Sequence, residues 1–248
     1  MTEEEWLNAV EPSRLLSSLF SRGGKRAATD ERFRLFGIAC CRRVTEVLDF
    51  GDTYALDCLE IYASSGLRES LLKARQFHRP AGDEASRAMS ESYQADVAAR
   101  LRAEARLLAT SAVWYCTKAK TTQAAMAYRE SAIAKAHLLA AGEPDPIVPR
   151  RGWLPPDPAE LAVQAALLRD IFGNPFRPVA FSPAWRTDTA LILARQMYES
   201  RDFGAMLILA DALQDAGCED EQILSHCRNA NQPHVRGCWV VDLVLGRE

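Results

Sequence analysis

Four side chains near the carboxyl end of the chain carry donor atoms that metal ions prefer: His226, Cys227, His234 and Cys238. Zinc binds imidazole nitrogen and thiolate sulfur in a tetrahedral arrangement. His234 and Cys238 are four positions apart, so on a helix they would share one face and reach a common ion. His226 and Cys227 are adjacent, and a helix would direct them differently. The pattern therefore predicts a zinc site that uses His226, His234 and Cys238.

Two other interpretations of this cluster stay open from the sequence. The spacing matches no common zinc finger or knuckle, and Cys40, Cys41 or Cys218 would complete a site only if distant parts of the chain meet. Cys238 and His226 would form a nucleophile pair only if a third group oriented the histidine and lowered the pKa of the thiol. Otherwise the cysteines are small core residues that lie beside hydrogen-bonded histidines.

An acidic run lies between two predicted helices of the C-terminal region. Such a run would suit a cation or a basic partner protein. Acidic side chains at a helix start also interact favourably with the helix dipole, and helix capping is the simpler interpretation. The run consists of Asp211, Asp215, Glu219, Asp220 and Glu221.

The segment from Asp170 to Trp185 combines four aromatic residues with three prolines. Proline lacks the amide donor and pushes the residue before it into an extended conformation, so this segment is not one helix. We expect an ordered crossover that clasps the neighbouring helices, with Phe176 fully buried. The alternative is an exposed interaction surface that includes Phe176, Arg177 and Trp185.

Hydrophobic periodicity predicts an all-α fold, a multi-helix bundle with orthogonal or antiparallel packing. Residues 84–141 are rich in alanine, and their two apolar stripes with a reversal around 118–122 predict a long antiparallel helical hairpin. The C-terminal part predicts a subdomain of short helices. Residues 237–245 fit either a helix that opens near Pro233 or a buried strand.

Proline content marks the predicted domain boundary. Residues 142–158 hold six of the twelve prolines, a composition typical of a linker. We therefore predict an N-terminal helical region over 1–142 that includes the hairpin 84–141, a proline-rich linker over 143–158, and a C-terminal helical subdomain over 159–248.

Composition limits the function classes. The chain of 248 residues is 48% hydrophobic and 25% charged, which is typical of a globular protein. A net charge of −3 disfavours a general nucleic-acid grip. A predicted helix with four arginines would be the local exception if it formed an anion or nucleic-acid site; the alternative is a solvated helix face. Those arginines are Arg32, Arg34, Arg42 and Arg43.

Apolar run length, the first residues and the cysteine count predict cellular location and redox state. No run approaches the ~20 apolar residues of a membrane span, and the acidic start differs from a secretory signal. These features predict a cytoplasmic protein without a membrane partner. Seven scattered cysteines, an odd number, predict reduced thiols and no disulfide framework.

Five runs at the two ends of the chain form a recognisable set. They are MTEEEWL (1–7), RLFGIACCRR (34–43), DIFGNPFRPV (170–179), ILADALQDAG (208–217) and PHVRGCWVVDLVLG (233–246). The set resembles a large uncharacterised family of planctomycete proteins, and 207–217 also looks like the Leu-Ala-Asp-x-Leu-x-x-x-Gly piece of repeat-companion domains. The resemblance implies a shared fold. It brings no assigned activity and no catalytic residue.

These features favour a non-enzymatic helical interaction or scaffold module with a protein partner. The first alternative is a zinc-binding enzyme or regulator that uses His226, His234 and Cys238. The second alternative is a DNA-binding regulator. Zinc is the only cofactor that the sequence suggests.

Overall fold

A computed structural model of the chain describes residues 1–22, 26–118, 123, 125–144 and 153–247. These residues form α-helices joined by turns and short 3-10 segments, and none of them lies in a β-strand, which confirms the predicted all-α class. Within the same ranges, no helix is both long enough and apolar enough to cross a lipid bilayer.

The helices are numbered in chain order. They are α1 (Glu3–Asn8), α2 (Pro12–Arg22), α3 (Arg26–Arg42), α4 (Phe50–Ser65), α5 (Arg68–Glu91), α6 (Val97–Cys116), α7 (Ala127–Ala141), α8 (Pro158–Phe172), α9 (Asp188–Ser200), α10 (Met206–Asp215), α11 (Glu221–Arg228) and α12 (Trp239–Leu245).

The chain divides into two compact units. The larger unit is residues 11–164, and the second unit joins residues 1–10 to residues 165–248. Of the predicted linker 143–158, residues 145–152 lie outside the described part, so the predicted boundary stays a prediction.

The larger unit contains the antiparallel pair that the alanine-rich stripes predict. In this pair Glu104 of α6 lies 3.2 Å from His137 of α7, and one turn further along α6 Leu108 packs in the same cluster as Ile133. Because the partner numbers fall as the α6 numbers rise, the two helices are antiparallel. Most of the predicted reversal at 118–122 lies outside the described residues.

The hairpin begins later than predicted, because α5 continues through Pro80 to Glu91. From the sequence, the run Arg79-Pro80-Ala81-Gly82-Asp83 indicates a helix end near His78. A proline inside a helix costs ~3 kcal/mol, yet His78, Ala81 and Ala85 are all buried, and burial of this face offsets the loss. The chain breaks instead before α6, where the Asp96 carboxylate caps the new helix.

Arg34 and Arg42 of α3 do not belong to the solvated face that their sequence positions suggest. Arg34 is buried, and its guanidinium donates hydrogen bonds to the carbonyls of Cys116 and Lys118. Arg42 lies 3.1 Å from the Glu60 carboxylate. The prediction of a solvated face is therefore wrong for Arg34, because carbonyl groups of its own unit accept its donors.

The N-terminal helix α1 belongs to the second unit. Thr2 and Glu5 form a capping box at its start. At its end, the Arg169 guanidinium donates to the carbonyls of Trp6 at 3.2 Å and Ala9 at 2.9 Å. These bonds satisfy carbonyls that the helix itself leaves without partners.

Helices α9 to α12 surround the core of the second unit. Residues 239–245 are helical, which decides between the two predicted alternatives, although the helix starts at Trp239 instead of near Pro233. Gly237 has φ 94°, a left-handed conformation that interrupts a helix at that point. The core includes Ala194, Met197, Leu209, Leu213, Ile223, Leu224, Val240, Val241 and Val244.

Candidate metal centre

Asp170 lies in the last turn of α8, and its side chain is fully buried. Three residues later Gly173 adopts φ 65° and ends the helix, with its amide bonded to the Arg169 carbonyl at 2.9 Å. The end of α8 therefore presents a carboxylate inside the second unit, where water does not solvate it.

His226 lies in the last turn of α11. The Asp220 carboxylate caps the start of this helix by accepting from the amides of Gln222 and Ile223, which is the capping role predicted for the acidic run. Ile223 and Cys227 are buried, and they anchor one side of α11 to the core. This anchoring fixes the direction of the His226 ring.

His234 and Cys238 come from the loop between α11 and α12. Gln232 donates to the Ala166 carbonyl at 2.9 Å, and Arg236 donates to the Tyr198 carbonyl at 2.6 Å. Cys238 is the residue immediately before α12. The two ligand candidates therefore meet through a hydrogen-bonded loop, whereas the sequence analysis expected them on one helix.

Four donor atoms converge in this unit. The donor atoms offered by Asp170, His226, His234 and Cys238 all lie within 4.8 Å of one another. The Asp170 Oδ1 atom is 2.7 Å from Nδ1 of His234 and 3.2 Å from Nε2 of His226. The Cys238 sulfur is 3.3 Å from His226 Nε2 and 3.9 Å from His234 Nδ1.

These separations suit a tetrahedral zinc ion. With ordinary zinc bond lengths, tetrahedral geometry places oxygen and nitrogen donors about 3.3 Å apart and nitrogen and sulfur donors about 3.6 Å apart. The observed oxygen–nitrogen distances are 2.7 and 3.2 Å, and the nitrogen–sulfur distances are 3.3 and 3.9 Å. These four separations lie within about 0.6 Å of the tetrahedral values.

The choice of ring nitrogens separates a metal centre from a catalytic triad. In a triad the histidine uses one nitrogen for the nucleophile and the other for the carboxylate. Here Nε2 of His226 is the ring nitrogen that faces both Cys238 and Asp170. In His234, Nδ1 is the ring nitrogen that faces both of these residues. Each ring therefore directs one nitrogen to a shared point, as metal ligands do.

The Asp170 carboxylate is stabilised in its charged form. Burial works to raise the pKa of Asp170, but hydrogen bonds and charge from His226 and His234 together hold it below its usual value. The Val235 amide donates to Oδ2 at 3.0 Å. One oxygen is thus fixed by the backbone, and the other faces the histidines.

The Cys238 thiol is a poor nucleophile in this environment. Burial, followed by the Asp170 charge, raises the pKa of Cys238 well above its usual value, while the amides of Val241 and Val240 act against this. A metal ion would reverse the effect, because a coordinated thiol is deprotonated. With one carboxylate, one thiolate and two neutral imidazoles, a divalent cation gives a site without net charge.

The structure brings together all three residues that the sequence analysis named as metal ligands, His226, His234 and Cys238. Cys218 is buried in the same unit but is not part of the converging set. Cys227 also lies outside the set, and burial raises its pKa to about 12. Cys40 and Cys41 belong to the larger unit.

Sequence reasoning missed Asp170 as the fourth member. Carboxylates are common, and Asp170 is 56 positions before His226, so spacing gave no hint. The available signal was its place among buried neighbours, since Leu167, Leu168 and Ile171 all face the interior. A charged side chain inside such a stretch of helix needs a partner.

The three residues predicted to form an interaction surface, Phe176, Arg177 and Trp185, differ in how far they are exposed. Phe176 is half-buried, so the expectation of a fully buried clasp is wrong for this ring. Arg177 is 66% exposed and forms an ion pair with Glu3 at 2.7 Å. Trp185 packs against the core and contacts Phe181 edge to face. After α8 ends, the segment has no α-helix: it contains a turn at 175–176 and the 3-10 helix Pro183–Trp185, and only some of its aromatics reach the core.

No known protein-family profile, curated protein or solved structure matches the chain.

Proposed function

We propose that the protein is a zinc-stabilised, non-enzymatic helical interaction module. One zinc ion would be held by Asp170, His226, His234 and Cys238. The observation that carries the proposal is the convergence of their donor atoms within 4.8 Å. These atoms come from the end of α8, the end of α11 and the loop before α12, so chance proximity along one element does not explain the convergence.

The number and burial of the ligands favour a structural ion. Structural zinc sites have four protein ligands, whereas catalytic sites have three and leave a position for water or substrate. In this unit Asp170 and Cys238 are fully buried, and the His226 and His234 side chains are only 12% and 8% exposed. Four protein donors in a buried tetrahedron leave no position for a substrate.

Zinc would cross-link the end of α8, the end of α11 and the residue before α12. The short helices α11 and α12 have eight and seven residues, too short to be stable on their own. An ion that binds only the folded state adds about 2.7 kcal/mol of stability when free zinc is 100 times its dissociation constant. The proposal therefore expects zinc to raise the stability of this unit.

The partner in this proposal is another protein. Helices α9 and α10 belong to the same unit, and they expose Ile192, Leu207 and Ile208 by more than half. A zinc-fixed arrangement of short helices would hold such aliphatic side chains in constant positions for a partner to cover. The ion therefore supports binding without taking part in a reaction.

Zinc content of two cysteine variants tests the site. Cys238→Ala removes a ligand, and Cys227→Ala is the matched control, since Cys227 is also buried in the same unit, at 3% exposure against 0% for Cys238, but lies outside the donor set. Elemental analysis should find one zinc per chain in the wild type and in the Cys227 variant. It should find much less in the Cys238 variant.

Thermal unfolding with and without a chelator completes the test. The wild type and Cys227→Ala should lose stability when zinc is removed, whereas Cys238→Ala should be insensitive to the chelator. Equal zinc content in both variants, or none in the wild type, would show that the converging side chains are a hydrogen-bonded core cluster without a metal.

A further inference from the structure

The exposed side of helix α10 combines aliphatic and acidic side chains. Leu207 and Ile208 are 57% and 58% exposed, and Asp211 and Asp215 are exposed as well. Residues three, four, seven or eight positions apart lie on the same side of a helix, so these side chains form one strip along α10. We call this strip the α10 face.

A pocket of about 450 Å³ adjoins the aliphatic half of the α10 face. Leu207 lines this pocket, and Phe203, Met206 and Ala230 add apolar surface to the lining. A cavity of this volume is large enough to receive apolar groups of a ligand or partner. The aliphatic half of the face therefore provides a recess beside its two exposed side chains.

Helix capping does not account for the acidic half of the α10 face. Asp220 caps α11, but Asp211 and Asp215 lie in the second half of α10, and Asp215 is its last residue. A negative charge there meets the negative end of the helix dipole, which is unfavourable. The last turn of α10 contains no basic residue. A cation from outside the helix would relieve this repulsion.

The charge around the α10 face is negative. Residues 202–227 contain six acidic residues and no lysine or arginine. Asp211 contacts Arg228 at 3.3 Å, yet the Asp211 side chain is 66% exposed, and a carboxylate accepts several hydrogen bonds. The local field therefore favours a partner that carries positive charge.

We propose that the α10 face binds a basic amphipathic helix of a partner protein. Aliphatic side chains of the partner helix would pack on Leu207 and Ile208 and enter the pocket. Lysine or arginine side chains beside that apolar stripe would face Asp211 and Asp215. An amphipathic helix that lies in an apolar groove is a common mode of peptide recognition. The inference rests on the proposed function in one respect, since it gives the chemistry of the protein partner.

The probe is a blocked peptide of about 18 residues, made of alanine, leucine and lysine with the leucines on one helical face. Titration into the zinc-loaded full chain should shift the backbone amide NMR signals of residues 203–215 and 227–230. Two control peptides should bind about tenfold more weakly or worse. One has the same composition in a shuffled order and lacks the apolar stripe, and the other has glutamate in place of lysine and is repelled.

Two leucine variants test the aliphatic half of the face. Leu207→Ser removes apolar surface from the face and the pocket, and Leu72→Ser is the matched control, because Leu72 is 63% exposed but lies in the larger unit. Leu207→Ser should weaken binding of the probe about fivefold or more. Leu72→Ser should leave binding within about twofold of the wild type.

Two aspartate variants test the acidic half. Asp215→Asn and Asp83→Asn change the net charge equally, and both positions are exposed, but Asp83 lies in the larger unit. Only Asp215→Asn should weaken binding at low salt, by about threefold. The difference between the two variants should disappear in about 0.5 M salt, because salt screens exposed charges.

The outcomes separate this inference from the zinc site, because zinc content is measured on the same samples. Zinc-loaded wild type that does not bind the probe, or binds the shuffled peptide or the Leu207→Ser comparison equally well, overturns the inference and leaves the zinc site intact. Self-association of the wild type that Leu207→Ser abolishes would assign the α10 face to a second copy of the chain, and would also overturn it. A chain that binds the probe but takes up no zinc overturns the zinc site alone.

Discussion

A single methyl group at Gly173 tests how closely the end of α8 packs on the metal centre. Gly173 has φ 65°, and a Cβ atom there would lie 3.3 Å from two ring atoms of Trp239. The Trp239 ring is in turn 5.1 Å from the ring of His226, between centroids. Gly173→Ala would therefore strain the backbone and also push a side chain that packs on a proposed ligand.

Gly217→Ala is the matched control. Gly217 has φ 85° and lies in the same unit, but a Cβ atom at that position would have no neighbour within 4 Å. A left-handed conformation costs a non-glycine residue about 1 to 2 kcal/mol, and both variants bear this cost. Crowding of a packed side chain adds about 1 to 3 kcal/mol, which only Gly173→Ala bears.

We therefore expect Gly217→Ala to lower the free energy of unfolding by about 1 to 2 kcal/mol and Gly173→Ala by about 2 to 5 kcal/mol. Urea unfolding followed by far-UV circular dichroism measures both values. Amide hydrogen exchange within α12 localises the effect to the second unit. Gly173→Ala should also weaken zinc binding, whereas Gly217→Ala should not.

Equal losses for the two variants, within about 0.5 kcal/mol, would refute this reasoning. They would show that Trp239 moves aside without cost and that the end of α8 does not constrain His226. Unchanged zinc affinity in Gly173→Ala would also show that the end of α8 does not constrain His226.

Two further substitutions test how the second unit is assembled. Arg169→Met keeps the apolar stem but removes the donors to the Trp6 and Ala9 carbonyls, so amide exchange in α1 should accelerate and unfolding should become easier by about 1 to 3 kcal/mol; unchanged exchange in α1 would show that its docking does not depend on these bonds. Phe176→Ala should cost about 1 to 2 kcal/mol in urea unfolding, because the ring is half-buried, and a loss of 3 kcal/mol or more would restore the fully buried clasp.

Helical periodicity was sufficient to predict the all-α class. The apolar stripes through Leu101, Ala105 and Leu108 correctly predicted the face of α6 that is buried. Local signals failed where tertiary burial outweighed them. Pro80, for example, predicts the end of a helix, but it lies inside α5. The burial of a helix face is a property of the whole unit, so no short window of sequence contains it.

The candidate metal centre was predictable in part. His226, His234 and Cys238 stand out because imidazole and thiol groups are rare in this chain, which has four histidines and seven cysteines. Asp170 does not stand out among many carboxylates, and its distance along the chain from His226 conceals the contact. The loop geometry that joins His234 to Cys238 depends on Gly237, whose left-handed conformation the sequence does not state.

X-ray absorption spectroscopy at the zinc edge tests the central claim most directly, because it reports the ligand atoms themselves. For the zinc-loaded wild type, we predict one sulfur at about 2.3 Å and three nitrogen or oxygen atoms at about 2.0 to 2.1 Å. In Cys238→Ala the sulfur shell should vanish, and in Cys227→Ala it should persist. A wild-type shell without sulfur, or with two sulfurs, would contradict the assignment of Asp170, His226, His234 and Cys238 as the ligand set.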